Sequence, residues 1–188
     1  MNRGQTPRVV VMGVSAVGKS TIGLALAHHY GVRFIDGDDL HSARSVAKMA
    51  GGIALEEADR LPWLRECGKT LARADDGAVL ACSALRRHYR AIIAQEAPDA
   101  VFVHLDADMD RVVVRAQSRS NHFMPSSLLA SQYALLEALE DDERGVRIDA
   151  DQDVDVIIAD AIGHLHNQVH LTSAPSSTGG SSVEADSP

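Results

Sequence analysis

Apolar residues fall into two rhythms along this chain. Short unbroken runs have strand length and are bounded by turn formers: RVVVM at Arg8 to Met12, AVLAC at Ala78 to Cys82, VFVHL at Val101 to Leu105. Between them, apolar positions recur every three or four residues, as one face of a helix requires. The clearest helical stripe spans Ser126 to Leu139 and holds Leu128, Leu129, Gln132, Tyr133, Leu135, Leu136 and Leu139. Read in order, the pattern predicts a strand at Arg8 to Met12, a helix from Lys19 to about Tyr30, and a short strand at Val32 to Ile35. Helices follow at Ser42 to Ala50 and Leu55 to Leu71, the second interrupted or bent by Pro62. Next come a strand at Ala78 to Cys82, a helix at Leu85 to Ala94, a strand at Val101 to Leu105 and a helix at Asp108 to Gln117. Asn121 to Pro125 reads as an irregular link. The helix Ser126 to Leu139, a strand at Gly145 to Ile148 and a helix from Val154 to about Leu165 complete the order. Strands alternating with helices imply an α/β fold: a three-layer αβα arrangement around a five-stranded parallel sheet. Ligands in such folds lie at the C-terminal ends of the strands.

The rhythm stops at Thr172. The remainder, TSAPSSTGGSSVEADSP, has too little apolar content to fold and reads as a disordered tail. We therefore expect one domain over residues 1–168, with a lid around 115–138, and a tail over 169–188. The net charge of -8 comes with no basic patch for nucleic acid or anionic lipid. The two cysteines, Cys67 and Cys82, are far apart in sequence and lack metal-ligand spacing, which fits a reducing compartment. Cys82, inside an apolar run, reads as a small core residue. The first strand begins within a few polar residues of the start and no apolar run reaches membrane length, so a soluble cytoplasmic protein is expected.

Chemistry enters after the first strand. Gly13 to Ser20 read GVSAVGKS, the phosphate-loop pattern GxxxxGK[ST], in the setting of strand, glycine turn and helix. The glycines permit the tight turn. The backbone N–H groups of Ser15, Ala16, Val17, Gly18, Lys19, Ser20 and Thr21 would surround an anion. Lys19 can reach β- and γ-phosphates, and the Ser20 hydroxyl can ligate Mg2+. The plain alternative, a glycine turn with no ligand, does not explain the lysine and serine together.

Asp36-Gly37-Asp38-Asp39-Leu40-His41 follows the second strand. Phosphoryl transfer to an alcohol needs a metal site, a group for the hydroxyl proton, and cations over the moving phosphoryl. Asp36 suits the Mg2+ side and Asp38 the acceptor hydroxyl. The third strand ends without the acidic residue usual at that place, which increases the demand on Asp36. An acidic turn that merely caps the next helix is the competing reading. Arg115, Arg119 and His122 have the spacing of a mobile lid, with a solvated basic helix surface as the alternative. Ser83, Arg86, Arg87, His88 and Arg90, with Arg60, offer planar donors for a small acidic acceptor. Ser83 and Arg86 are read as opening a helix from the strand edge, and at least one of Arg87 and Arg90 as a surface residue. Trp63 is read as packing its own helix rather than stacking a ligand.

Taken together, the segments GVSAVGKS, DGDDLH, KMAGG, LEEADRLPWL, CSALRRHYR, VFVHLDAD, RAQSRSNHFMPSSLLASQYALLE and DADQDVD resemble the gluconate kinases, within the shikimate kinase and nucleoside monophosphate kinase group of P-loop kinases. The likeness covers roughly residues 8 to 165. A shikimate kinase would carry a glycine-rich turn in place of CSALRR. The resemblance implies ATP and Mg2+ as cofactors, D-gluconate as acceptor and often a homodimer. It gives Asp36 to the metal and Asp38 to the acceptor hydroxyl. It assigns acceptor contacts to His41, Arg60 and Arg86, with Lys48 and Arg87 beside them; the strand-edge reading adds Ser83. Arg115 and Arg119 match the lid arginines, and His122 a lid histidine. Asp149 to Asp153, including Asp151, resemble a loop that encloses adenine. Ser42, Ser45, Ala54, Asn121 and Asp153 depart from the usual residues, three of them on the acceptor side. The alternatives are a kinase for another small sugar acid or shikimate-like acceptor, and a nucleotide-binding regulatory protein without turnover.

Overall fold

Val9, Val10, Val11 and Met12 expose no surface at all, and they alternate between two apolar clusters. A strand buried on both faces must lie inside a sheet covered on both sides. In the computed structural model, residues 6–118 and 126–171 are described. Five strands, β1 (Arg8–Met12), β2 (Arg33–Asp36), β3 (Ala78–Ala81), β4 (Val101–Asp106) and β5 (Gly145–Asp149), form one parallel sheet in the order β2-β3-β1-β4-β5. The helices are α1 (Lys19–Tyr30), α2 (Ala43–Ala50), α3 (Glu57–Ala72), α4 (Arg87–Glu96), α5 (Met109–Ser118), α6 (Ser126–Leu135) and α7 (Val154–Leu171). Ile22 and Leu26 of α1 join Ile157, Ala161 and Leu165 of α7 on the Val9 and Val11 face. Leu64 and Leu71 of α3 and Ile93 of α4 cover the Val10 and Met12 face. The result is the three-layer αβα P-loop kinase fold.

This topology puts the site at one edge. After β1 the chain moves outward to β2, and after β3 it crosses back over β1 to β4. The order reverses around β1, which opens a crevice at the C-terminal strand ends. Gly13, Asp36, Ser83, Asp106 and Asp149 all lie at that edge.

Several expected boundaries shift for identifiable reasons. β2 takes in Asp36, and β3 stops at Ala81. Ser83 and Arg86 do not open a helix. Ala84, at φ 42, interrupts the path, and α4 begins at Arg87 with Arg86 as its cap. Pro62 does not break α3, which runs through it in the second turn. The stripe expected to reach Leu139 ends as a helix at Leu135. Beyond it the Glu137 N–H donates to the Leu85 carbonyl at 2.8 Å, so the chain leaves the helix to bond across the site. α7 continues past Leu165 to Leu171. The expected link at Asn121 to Pro125 and the tail from Thr172 lie outside the described residues.

The cysteines, distant in sequence, meet in the core. Hydrogen bonding from Cys82, then burial, pushes the Cys67 thiol up, so it stays protonated. Among the described residues no helix is long and apolar enough to cross a membrane.

Candidate active site

The phosphate loop is built from backbone conformations that ordinary side chains resist. Gly13 has φ 136 and Gly18 φ 115. A Cβ on Gly13 would lie 2.6 Å from the Leu105 carbonyl oxygen. Gly18 caps α1 without any side-chain acceptor, and the first turn of α1 carries no acidic residue. Its N-terminal N–H groups therefore suit an external anion. The Lys19 ammonium donates to the Val14 carbonyl at 2.9 Å, which holds the lysine along the loop. The Gly13 N–H donates to the Ser83 carbonyl at 3.3 Å and ties the loop to the end of β3.

The acidic turn lies beside it. Asp36 Oδ1 accepts the Asp38 N–H at 3.1 Å and caps the short 3-10 turn Gly37–Leu40. The capping reading is thus correct for that oxygen. A Cβ on Gly37 would lie 2.5 Å from the Ala81 carbonyl, so the turn abuts the end of β3. Mg2+ at phosphate loops is held by few protein oxygens, the phosphates supplying the rest. Ser20 and Asp36 are hard oxygen donors at this one edge and fit that requirement.

A stacked ring pair continues from the turn. The His41 ring stacks on Trp63 with centroids 4.2 Å apart at 17°, and the Trp63 indole N–H donates to the Gly37 carbonyl at 2.7 Å. Trp63 packs as expected, and in doing so it fixes a site histidine. His41 Nδ1 is buried with no hydrogen-bond partner among the described residues. Burial holds the ring below its ordinary pKa; the Asp38 carboxylate opposes the shift and Arg60 adds to it. His41, Asp38 and Arg60 therefore share one electrostatic neighbourhood.

Lys48 pairs with Asp59 at 2.6 Å, joining α2 to the start of α3. That bond, first among the causes, holds the Asp59 carboxyl below its usual range. Ser42 and Ser45, two of the departures, satisfy each other: Ser42 Oγ accepts the Ser45 N–H at 3.1 Å and lies 3.0 Å from its hydroxyl. The Arg86 guanidinium sits 5.8 Å from the Tyr89 ring centroid.

At the far end of the crevice, Arg115 donates to the Ala150 carbonyl at 2.8 Å and to Asp151 Oδ1 at 3.4 Å. Asp151 Oδ2 accepts the Asp108 N–H at 2.9 Å. Arg115 and Asp151 thus come together as one unit. Arg119 and His122 lie outside the described residues.

Other expected ligands are already engaged. Arg87 bonds Glu140 and, at 2.5 Å, Asp142, on the outside of the β3–α4 link. Arg90 is the opposite case: it is 1% exposed and forks onto Glu143 at 2.6 and 2.7 Å. It also donates to the Glu137 and Ala138 carbonyls at 2.9 and 3.1 Å. The Arg87 N–H, an orphan donor at the start of α4, is taken by Glu137 Oε2 at 2.6 Å. Ser15, expected to face phosphate, gives its N–H to Gln132 Oε1 at 2.7 Å, and its hydroxyl takes the Gln132 amide at 3.0 Å. The sequence placed Gln132 on the apolar stripe without a partner, and did not single out Glu137. The available signal was a glutamine inside an apolar stripe.

A gluconokinase of Gluconobacter oxydans is 44% identical over 166 residues, which span 86% of this chain and 93% of the relative. The chain belongs to the gluconokinase family. The shikimate kinase family profile matches residues 15–161, placing the gluconokinase family within that wider group. A crystal structure of a gluconokinase from Sinorhizobium meliloti 1021 superposes with a TM-score of 0.83 at 38% identity, covering 90% of this chain and 99% of its own. An unliganded sugar kinase from Janibacter sp. HTCC2649 gives 0.80 at 43% identity, covering 86% and 95%.

Proposed function

We propose that this chain is a gluconokinase, transferring the γ-phosphoryl group of ATP to the C6 hydroxyl of D-gluconate to give 6-phospho-D-gluconate and ADP. The observation that carries this reading is the meeting, at one sheet edge, of an uncapped glycine loop bearing Lys19 with the wall of Asp38, His41 and Arg60. The gluconokinase relatives support it.

In this reading the loop amides and Lys19 bind the β- and γ-phosphates. Asp38 takes the C6 hydroxyl proton as the new P–O bond forms and the bond to the β-phosphate oxygen breaks. His41, Arg60 and Arg86 hold the acid, with Ser83 and Lys48 alongside. Arg119 stabilises charge on the moving phosphoryl, and His122 contributes from the lid. Arg115 and Asp151 shape the base end. Mg2+, held by Ser20 and Asp36, would supply charge neutralisation on the phosphates. Catalysis is then positioning and electrostatics, without a covalent protein intermediate. A cytoplasmic homodimer completes the proposal.

The test is ADP release from Mg·ATP against gluconate, shikimate, other sugar acids, glycerate and no acceptor. Turnover confined to gluconate, with a 6-phosphorylated product, is expected. Turnover with a different acid would keep the fold and chemistry and move the specificity to the Ser42, Ser45 and Ala54 side. ATP binding without acceptor-dependent turnover would leave a regulatory nucleotide binder.

A further inference from the structure

Gln132 makes a contact that neither helix packing nor the chemistry above requires. It lies on the apolar stripe of α6, where Leu129 is buried and Tyr133 and Leu135 pack on the same cluster. The Tyr133 hydroxyl also donates to the Ala107 carbonyl at 3.0 Å. α6 is therefore docked without Gln132. The Gln132 amide is instead spent on one residue of the phosphate loop, at both the backbone N–H and the hydroxyl of Ser15.

The peptide unit it grips is the one that holds the lysine. A trans peptide is planar, so its N–H and C=O point in opposite directions. The N–H of the Val14–Ser15 peptide goes to Gln132 at 2.7 Å. The C=O of that same unit accepts the Lys19 ammonium at 2.9 Å. An ammonium has three donors, and this carbonyl orients it through one of them.

We propose that Gln132 is a positioning residue for ATP: by fixing the plane of the Val14–Ser15 peptide from α6, it presets the phosphate loop and the Lys19 ammonium for the triphosphate. This rests on the kinase reading and not on which acid is the acceptor.

The decisive variant is Q132M, which keeps length and apolar fit and removes both bonds. ATP affinity, measured by calorimetry without acceptor, should weaken about tenfold, the equivalent of one to two lost hydrogen bonds. The ATP KM should rise in step, while the acceptor KM holds and the melting temperature stays within about 2 °C. S15A, which loses only the hydroxyl bond, should weaken ATP less, and should add almost nothing on top of Q132M. Backbone amide exchange supplies a readout independent of activity. The Ser15 N–H should be protected in the nucleotide-free chain and lose protection in Q132M. Unchanged ATP affinity in Q132M overturns the proposal. So does a Ser15 amide in the unsubstituted chain that exchanges like an open loop, which decides the matter even if Q132M folds poorly. A chain that binds ATP with the expected Q132M loss but phosphorylates no sugar acid would uphold Gln132 and remove the gluconate reading. A chain that binds no ATP removes both.

Discussion

His104 sits on β4 with 1% of its surface exposed, and neither ring nitrogen has a hydrogen-bond partner among the described residues. Burial lowers its pKa to about 4; Asp106 and Glu143 oppose the shift, while Arg90 and Arg147 add to it. The sign for stability follows directly. Between the ordinary value of 6.5 and about 4, the unfolded imidazole binds a proton that the folded one refuses. Stability is therefore full above the ordinary value and is lost as pH falls toward the lower one, by up to about 1.4 kcal/mol per pH unit. H104L should flatten that acid limb in urea titrations at pH 5 and 7. At pH 7 it should also raise the melting temperature by a few degrees, because a buried polar group without a partner costs about 1–3 kcal/mol. A second residue-scale expectation concerns Asp38. D38N should retain ATP affinity and lose turnover by roughly two powers of ten or more if the carboxylate takes the hydroxyl proton. Calorimetry and steady-state rates separate the two effects.

At the scale of elements, α6 and the segment after it tie the phosphate loop to α4. Gln132 reaches the phosphate loop, Glu137 caps α4, and Glu143 receives the buried Arg90 fork. R90M should cost about 3 kcal/mol or more in urea unfolding, because it strands a partly buried carboxylate. R90M/E143L should recover part of that loss, since an apolar pair removes the stranded charge. Helical periodicity pointed to a longer α6 because Leu136 and Leu139 continue the stripe. Both do pack on apolar residues: Leu136 touches the clusters on both sides of the sheet, and Leu139 only the one opposite Leu129. Period alone cannot distinguish a helix from a link that happens to bury the same spacing. The Arg90–Glu143 pair is separated by 53 residues, so no local pattern announces it. The phosphate loop and acidic turn were legible because their chemistry is written in consecutive residues. The resemblance set Lys48 and Arg87 beside the acceptor, and the fold pairs them with Asp59, Glu140 and Asp142, partners distant in sequence.

At the scale of the whole molecule, the parallel sheet gathers five strand ends at one edge, where the phosphate loop, Asp36 and Ser83 begin. The alternation of strands and helices anticipated this edge, since a parallel sheet admits few other arrangements. The order β2-β3-β1-β4-β5, which places β3 between the phosphate loop and the acidic turn, needed the structure. We take the catalytic unit to end with α7. A chain cut after Leu171 should then keep its gluconate rate and its melting temperature within about 2 °C, as kinetic and calorimetric comparison would show.

Trp63 lies flat against His41, and the chain holds 1 tryptophan. Its ultraviolet emission therefore comes from a single place, beside His41 in the proposed acceptor wall. Excitation near the red edge of indole absorption should yield a signal that changes when a sugar acid displaces solvent from His41, with no dye attached. A protonated imidazole stacked on indole is an efficient quencher. Because burial lowers the His41 pKa, the emission should dim only at pH values below the ordinary histidine range. The stacked pair thus gives the protein a built-in optical titrator for acid and a direct test of the proposed acceptor wall.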